Sequence, residues 1–313
     1  MSRQQIPILL LGFNRPEMLA NLVRSLAISQ PSHIIFVIDG PRLENTNDFS
    51  LVRRSQACTE LVTWDCEIET RFRSTNLGLR TSVTEGVTWA IQKYGHVIVV
   101  EDDVIVGPDF IPYMELMLER FVDNERIGHI NGYNVIPPRQ LSYPFSNVRM
   151  SRYIESFAWG TWERSWSLFD DSLSWGRDCS YQELKDVVGT YAGAVRWKIN
   201  FSDTKNDRVN SWAYRWLASL WEHNMFAVSP NINLVNYRGN DDGTHVLRQP
   251  RWNDLAVTDF PEPLNSSTNM MFDQASDRWL GRNVFAESTL GVVDGIATSI
   301  ALEIRQKYRQ LVK

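Results

Sequence analysis

The segment HVIVVEDDV, residues 96–104, decides the fold. Four apolar residues run straight into three consecutive acids, Glu101, Asp102 and Asp103. A continuous apolar run is typical of a parallel strand that is covered on both faces, and open α/β sheets bind ligands just beyond the carboxyl ends of such strands. Neighbouring carboxylates repel one another unless they hold a cation or protons. The segment therefore predicts a ligand site, with capping of the next helix as the alternative.

Strand and helix patterns alternate around this segment, over roughly the first 125 residues. Apolar runs predict strands, and apolar residues spaced i, i+3, i+4 and i+7 predict helices. This alternation predicts the α/β class, with a mostly parallel, Rossmann-like central sheet flanked by helices and a helical, loop-rich C-terminal part. We predict strands over 8–13, 34–38, 67–71, 96–100, 127–130 and 229–237, and helices over 16–26, 46–62, 78–94, 109–121, 155–170, 209–224 and 296–311. Asp109 is expected to cap the helix over 109–121.

Composition excludes several classes of protein. The chain has 313 residues with 32 basic and 37 acidic side chains, so its net charge of −5 does not favour nucleic-acid binding. Cys58, Cys66 and Cys179 have no zinc-site or disulfide-framework spacing, which fits a reducing compartment. We see no apolar stretch of about 18 residues, the length that a membrane span needs. We therefore expect a cytoplasmic protein.

The motifs together resemble a known family. Phe13-Asn14-Arg15-Pro16 follows the first strand, Asp39 follows the second, and Asn76-x-Gly78 opens a helix. The run EDDVIVGPDFIPYM, residues 101–114, is similar to the acidic motif of the N-acetylglucosaminyltransferase I family and of related bacterial sugar transferases. The chain thus resembles nucleotide-sugar glycosyltransferases of the type A fold over about residues 6–246. This resemblance implies a metal ion, Mn²⁺ or Mg²⁺, and a nucleoside-diphosphate sugar as donor.

The resemblance also implies roles for individual residues. Asp103 would bind the metal directly, together with His245 from the turn 239–245, and Glu101 would orient the motif. The implied donor nucleotide contacts are Phe13, Asn14, Arg15, Asp39, Arg80 and Asp102. The implied contacts with donor sugar or acceptor are Trp159, Gly160 and Trp162. For each residue an ordinary structural role remains the alternative, as turn, helix-face or core residues.

The catalytic base is less well defined by the sequence. An inverting transfer needs a carboxylate that takes the proton of the acceptor hydroxyl. Bacterial relatives often carry Trp-Asp-Tyr where this chain has Trp212-Ala213-Tyr214, so the expected acid is absent. Asp207 and Glu155 are the candidates that we put forward, with Asp203 as a third.

We therefore expect a metal-dependent glycosyltransferase that moves a sugar, UDP-linked in the first instance, to a saccharide hydroxyl in bacterial surface polysaccharide or glycan synthesis. Residues 1–126 would bind the donor, 127–249 would form the acceptor side of the same domain, and 250–313 would be a loop-rich connection and an amphipathic helix. The alternatives are a sugar nucleotidyltransferase and a catalytically silent sugar-nucleotide or glycan-binding subunit.

The C-terminal helix has two interpretations of its own. Its apolar face carries Ile300, Ile304, Tyr308 and Leu311, and basic residues lie elsewhere around it. We expect this face to pack against the protein. The alternative is peripheral association with the inner face of an anionic membrane, where lipid-linked glycan acceptors are found.

Overall fold

The computed structural model describes residues 6–142, 146–238, 255–260 and 272–311. The strands are β1 Ile8–Gly12, β2 His33–Ile38, β3 Glu67–Phe72, β4 His96–Glu101, β5 Val104–Val106, β6 Ile127–Asn131, β7 Val148–Ser151, β8 Ala158–Trp162, β9 Phe226–Pro230 and β10 Val235–Tyr237. The helices are α1 Pro16–Leu26, α2 Thr46–Gln56, α3 Leu79–Tyr94, α4 Phe110–Arg120, α5 Glu163–Trp166, α6 Ser174–Asp178, α7 Tyr181–Val188, α8 Tyr191–Lys205, α9 Trp212–Glu222, α10 Gln274–Asn283 and α11 Thr289–Leu311.

Eight strands form one central sheet in the order β3-β2-β1-β4-β8-β6-β9-β7. Strands β3, β2, β1 and β4 are parallel neighbours, β8 lies antiparallel between β4 and β6, β9 is parallel to β6, and β7 is antiparallel to β9. Six of the eight strands therefore run in one direction. The predicted α/β class with a mostly parallel sheet flanked by helices is confirmed. Strands β5 and β10 form a separate antiparallel pair.

Helices cover both faces of the sheet because alternate residues of its central strands are apolar on both sides. Leu10 of β1 packs on one face in a cluster with α1 and α4. Leu9 and Leu11 pack on the other face with α3 and the aromatic residues of α8 and α9. Every residue of β2 and the four central residues of β4, Val97 to Val100, are buried in this two-sided core.

Two expectations about local structure are wrong. The helix predicted over 155–170 is largely the buried strand β8 followed by the single turn α5, because the segment pairs with β4 and β6. Asp109 does precede α4, but its side chain makes no cap hydrogen bond there. Its Oδ2 instead accepts from the backbone N–H of Phe260, at 2.8 Å. The aspartate thereby holds a distant loop against the start of α4.

The expected packing of the C-terminal helix is also wrong for its apolar face. Helix α11 packs on α8 through a different face, where Ser299 Oγ donates to Asp203 Oδ1 at 2.6 Å and Gln306 Nε2 donates to the Asn206 carbonyl at 3.0 Å. The apolar side chains on the outer face are exposed: Leu290 by 82%, Val293 by 62%, Ile296 by 47%, Ile300 by 54%, Ile304 by 63% and Tyr308 by 67%. Among the residues that the structure describes, no helix has both the length and the apolar character to cross a bilayer.

Candidate active site

The candidate site lies at one edge of the sheet. Strands β1, β2, β4 and β6 run in the same direction, so the residues that follow them, from Phe13, Asp39, Asp102 and Gly132 onwards, emerge together. Strand β8 runs the opposite way, so the residues that precede it, up to Phe157, reach the same edge. The backbone N–H of Glu101 donates to the Phe157 carbonyl at 2.9 Å, which joins the two segments. We call this the carboxyl edge.

Three acids occupy the middle of the carboxyl edge. Glu101 ends β4, and Asp102 and Asp103 form the turn into β5, each only 9% exposed. Arg15, the residue before α1, reaches across to them. Its Nη1 lies 3.3 Å from Asp103 Oδ2 and 3.6 Å from Asp102 Oδ1. One guanidinium thus contacts two of three neighbouring carboxyl groups.

Burial and neighbouring charges both act on the pKa values of these acids. Burial raises the pKa of all three, and the mutual repulsion of the carboxylates raises those of Glu101 and Asp102 further. The positive charge of Arg15 lowers the pKa of all three acids but does not cancel the rise. A hydrogen bond from the Trp212 side chain also lowers the pKa of Glu101. Asp103 Oδ1 is buried and has no hydrogen-bond partner among the described residues. The cluster is therefore suited to binding a cation.

The chain that leads towards His245 passes directly beside Asp103. Strand β10 pairs with β5, and the backbone N–H of Arg238 donates to the Asp103 carbonyl at 2.8 Å. The Tyr237 ring stacks on the Phe157 ring, with their centroids 4.0 Å apart. Burial is the largest cause that raises the pKa of the Tyr237 hydroxyl, and the negative charge of Asp103 is the next. His245 and the rest of the turn 239–245 lie outside the described residues. The metal role of His245 therefore stays a prediction.

The predicted nucleotide side holds a network that the sequence did not suggest. Asn14 Nδ2 donates to Asp48 Oδ1 at 2.9 Å, and Arg42 binds the same carboxylate through Nε at 2.6 Å and Nη2 at 3.0 Å. These bonds outweigh burial and lower the pKa of Asp48 to about 2. The Arg42 guanidinium also lies over the Phe13 ring, 5.4 Å from its centroid. Asp48 and Arg42 thus fix the segment after β1, through contacts that no local sequence pattern shows.

Asp39 is committed to the backbone around it. Its Oδ1 accepts from the N–H groups of Gly40 and Leu77, both at 2.9 Å. Its Oδ2 accepts from Asn76 Nδ2 at 2.9 Å and from the Gly78 N–H at 3.0 Å. A carboxylate has about four acceptor positions, so these bonds use them all. Asp39 therefore holds the loop that enters α3, and this geometry leaves its predicted contact with base or ribose unsupported.

Arg80 belongs to a loose cluster of four charges. Its Nη1 lies 3.4 Å from Asp207 Oδ1, and its Nε lies 3.8 Å from Asp171 Oδ1. Buried Arg215 contacts the same two acids at 3.6 Å and 3.5 Å. Both acids are more than half exposed, so these pairs are weak and readily exchanged. Asp207, a predicted catalytic residue, is thus placed as an ion-pair partner of two arginines.

Glu155 is placed differently from the other candidate bases. It lies in the segment before β8, at the carboxyl edge, and burial raises its pKa to about 8 despite the nearby Arg149. Its backbone N–H donates to Asn131 Oδ1 at 2.7 Å, which fixes its position beside the end of β6. Asp203 instead accepts from Arg208 Nε and Ser299 Oγ and joins helices. Of the three candidates, Glu155 is the acid that combines this location with a pKa close to neutral.

The predicted acceptor residues are core residues in this structure. Trp159 and Trp162 are 0% and 3% exposed, and Gly160 between them is also buried. Trp159 stacks on Trp212 at 5.2 Å and on His129 at 5.1 Å. Trp162 Nε1 donates to the Leu118 carbonyl at 3.0 Å. Their burial leaves no side-chain surface for a saccharide, so the prediction is not supported by their placement.

A second group of possible metal ligands lies at the opposite, amino edge of the sheet. Side-chain atoms of His33, Glu67 and Glu69 all lie within 4.8 Å of one another. Glu69 also hydrogen bonds to Lys93 and Tyr94, so its oxygens already have cationic and neutral donors. This group is separate from the acids after β4 and is occupied by internal contacts.

Comparisons with known proteins add limited information. No protein-family model matches the chain, and no curated protein matches it. Among solved structures it is similar to a mannosyltransferase from Pyrobaculum calidifontis in complex with GDP-Man and Mn²⁺, with 11% identity and a TM-score of 0.38 over 71% of this chain and 69% of that one. It is also similar to UDP-glucose pyrophosphorylase complexed with UDP-glucose, with 10% identity and a TM-score of 0.27 over 47% of this chain and 63% of that one. At these TM-scores neither likeness bears on the activity of this chain.

Proposed function

We propose that this protein is a metal-dependent glycosyltransferase that moves a sugar from a nucleoside-diphosphate donor, with UDP as the first expectation, to a saccharide hydroxyl. The observation that carries the proposal is the cluster of Glu101, Asp102 and Asp103 at the carboxyl end of the central strand β4. Asp102 and Asp103 are buried and are contacted by one guanidinium, and burial raises the pKa of all three acids. Such a cluster is stabilised when a divalent cation binds.

The residues present fit a Mn²⁺ or Mg²⁺ ion. Both ions prefer oxygen ligands, and Asp103 Oδ1 is a buried carboxylate oxygen without a partner among the described residues. Asp103 would hold the ion directly, and Asp102 would hold the ribose or a water. His245 remains a proposed further ligand, supported by the Arg238–Asp103 hydrogen bond, which holds the residue before that turn beside Asp103. A bound ion would neutralise charge on the departing nucleoside diphosphate.

The donor would lie along the carboxyl edge beside these acids. Phe13 and Asn14, fixed by Arg42 and Asp48, would line the base and ribose pocket. Arg15 would keep the acids partly neutralised. Helix α3 begins at the same edge after Gly78, and its free N–H groups and Arg80 are suited to the diphosphate. Arg80 could move from its weak contacts with Asp171 and Asp207 to the donor.

We assign the proton-accepting role to Glu155. The acceptor oxygen would attack C1 of the sugar while the bond from C1 to the diphosphate oxygen breaks, and the hydroxyl proton would pass to the Glu155 carboxylate. A base works best when its pKa lies near the working pH, and the pKa of about 8 meets this condition.

Inversion at C1 and a place in bacterial surface polysaccharide or glycan synthesis follow from the resemblance. The acceptor would bind to residues 127–249 through groups other than Trp159, Gly160 and Trp162.

The two alternative functions, a sugar nucleotidyltransferase and a silent binding subunit, differ from the proposed one in the products that they release. A nucleotidyltransferase would need a glycine-rich phosphate loop after β1, whereas Phe13-Asn14-Arg15-Pro16 stands there. A silent binding subunit is suggested by Ala213, which replaces an expected acid.

The test is to incubate the protein and Asp103→Asn with UDP-sugars and GDP-sugars plus Mn²⁺ and a panel of saccharides. A transferase releases nucleoside diphosphate, a nucleotidyltransferase releases nucleoside triphosphate when pyrophosphate is added, and a silent subunit releases neither.

We further propose that α11 attaches the protein to an anionic membrane surface. The exposed stripe of Ile300, Ile304 and Tyr308 continues at four-residue intervals, and the exposed cations Arg305 and Arg309 lie beside it. A coiled-coil partner would instead require the seven-residue apolar repeat to continue along the helix, and Lys307 interrupts it after Ile304. Binding to phosphatidylglycerol vesicles should be lost in Ile300→Glu/Ile304→Glu and kept in the surface control Arg53→Gln. Equal binding by both variants would contradict this attachment.

A further inference from the structure

A cavity of about 620 Å³ opens at the amino edge of the sheet, where β6 and β9 begin. Its floor is Phe226, the first residue of β9, and its walls carry three arginines, Arg126, Arg152 and Arg164. Arg152 follows β7 and Arg164 lies in α5, both at this edge because β7 and β8 run antiparallel to their neighbours. The acids at the end of β4 lie at the opposite edge of the sheet, and β8 and β6 separate β4 from β9.

In the part of the chain that the structure describes, two of the arginines have guanidinium hydrogen-bond donors that no acceptor uses. The guanidinium groups of Arg126 and Arg152 both lie over the Phe226 ring, at 5.3 Å and 5.2 Å from its centroid. Within the described residues, neither group has a hydrogen-bond acceptor or ion-pair partner. Asp277, whose charge acts on Arg152, accepts from Ser151 Oγ and from the Arg152 backbone N–H. The contacts with the Phe226 ring therefore orient both guanidinium groups. Within the described residues, their N–H groups stay available to a ligand.

The third arginine adds a fixed positive charge. Arg164 donates to the carbonyls of Val122, Ile127 and Phe121, each at 2.8 Å, and the charges of Glu125 and Asp123 act on it. His223 also lines the cavity. Of its two ring nitrogens, Nδ1 donates to the Ser219 carbonyl at 2.9 Å, and Nε2 takes no part in that bond. Glu125 is the acid on the cavity wall, so the arginines outnumber the carboxylates there by three to one.

We propose that this cavity is a second ligand site, which binds the phosphoryl group of a small phosphorylated molecule. Guanidinium forks match the geometry of phosphate oxygens, and a partly desolvated group binds such an anion more strongly than a fully hydrated one. The surplus positive charge favours a ligand with more than one negative charge. The volume exceeds that of a phosphate ion and falls within the range of small-molecule sites. The site is separate from the proposed donor site.

The test is calorimetric titration of the full chain with inorganic pyrophosphate in the presence of a chelator, which keeps the proposed metal site empty. We expect binding in the wild type, a loss of at least about tenfold in affinity in Arg126→Gln/Arg152→Gln, and tighter binding in Glu125→Gln. Arg53→Gln, an exposed arginine elsewhere, should bind as the wild type does. Titrations with a sugar 1-phosphate and a nucleoside monophosphate distinguish the sources of the phosphoryl group.

Two results would overturn the proposal. One is the absence of pyrophosphate binding to the wild type. The other is binding that survives in Arg126→Gln/Arg152→Gln but is lost in Arg15→Gln, which would place the anion at the carboxyl edge. Metal-dependent donor binding by the double variant shows that it is folded. If the double variant does not fold, the pyrophosphate titration of the single variant Arg126→Gln, at an exposed position, gives the same comparison with the wild type.

Discussion

Glu287 makes a pH-dependent contribution to stability that can be isolated by one substitution. Its Oε1 accepts from Tyr153 O–H and Trp197 Nε1–H, both at 2.6 Å, and so anchors the junction of α10 and α11 to the aromatic core. Burial is the largest cause that raises its pKa from 4.5 to about 7. The folded state therefore holds a proton that the unfolded state releases between these two pH values.

The sign of the effect follows from that difference. Between pH 4.5 and about 7 the folded state binds more protons, so its free energy of unfolding falls as the pH rises. The full effect is about 3 kcal/mol, of which about 2 kcal/mol falls between pH 5.5 and pH 8. Glu287→Gln keeps both hydrogen bonds to Oε1 without an ionisable group. We therefore expect Glu287→Gln to gain about 2 kcal/mol relative to the wild type across this interval.

Urea unfolding of both proteins, followed by tryptophan fluorescence at several pH values, measures this gain. Glu60→Gln, at an exposed position in the short 3₁₀ turn after α2, is the matched control and should track the wild type. A constant difference between Glu287→Gln and the wild type from pH 5.5 to pH 8 would refute the reasoning.

Two further predictions concern the core and the proton acceptor. Trp159→Ala should lower the free energy of unfolding by about 3–5 kcal/mol, because the ring is fully buried; a change in acceptor KM at unchanged stability would instead favour an acceptor role. The transfer rate should rise with pH through about 8, because Glu155 must be ionised to accept a proton. Glu155→Gln should be at least about 100-fold slower, and an unchanged rate and pH profile would exclude Glu155.

The sequence predicted the parallel half of the sheet well because the information there is local. Apolar runs in β1, β2 and β4 need burial on both faces, and the acids after β4 mark its carboxyl end. Strand β8 was missed because its extended form depends on pairing with β4 and β6, which lie tens of residues earlier. Spacing of apolar residues also cannot tell a packed helix face from an exposed one, as α11 shows.

The candidate site was predictable in part for a similar reason. The acidic motif and the segment after β1 are visible as short motifs, and the structure brings Arg15 to Asp102 and Asp103. The binding of Asp39 to the backbone N–H groups of Leu77 and Gly78 depends on a loop that returns nearly forty positions later. The Arg42–Asp48 pair beside Phe13 likewise arises from tertiary contacts. Spacing within the sequence carries no sign of either.

The most direct test of the central claim is a thermal-shift panel of nucleoside diphosphates and nucleotide sugars, each with Mn²⁺, Mg²⁺ or a chelator, on the wild type and Asp103→Asn. A ligand at about 100 times its dissociation constant adds about 2.7 kcal/mol of stability, which such an assay detects readily. We predict a metal-dependent shift for one nucleotide family in the wild type and its loss in Asp103→Asn. The absence of a shift with every nucleotide, or the same shift in both proteins, would contradict the proposed metal and donor site.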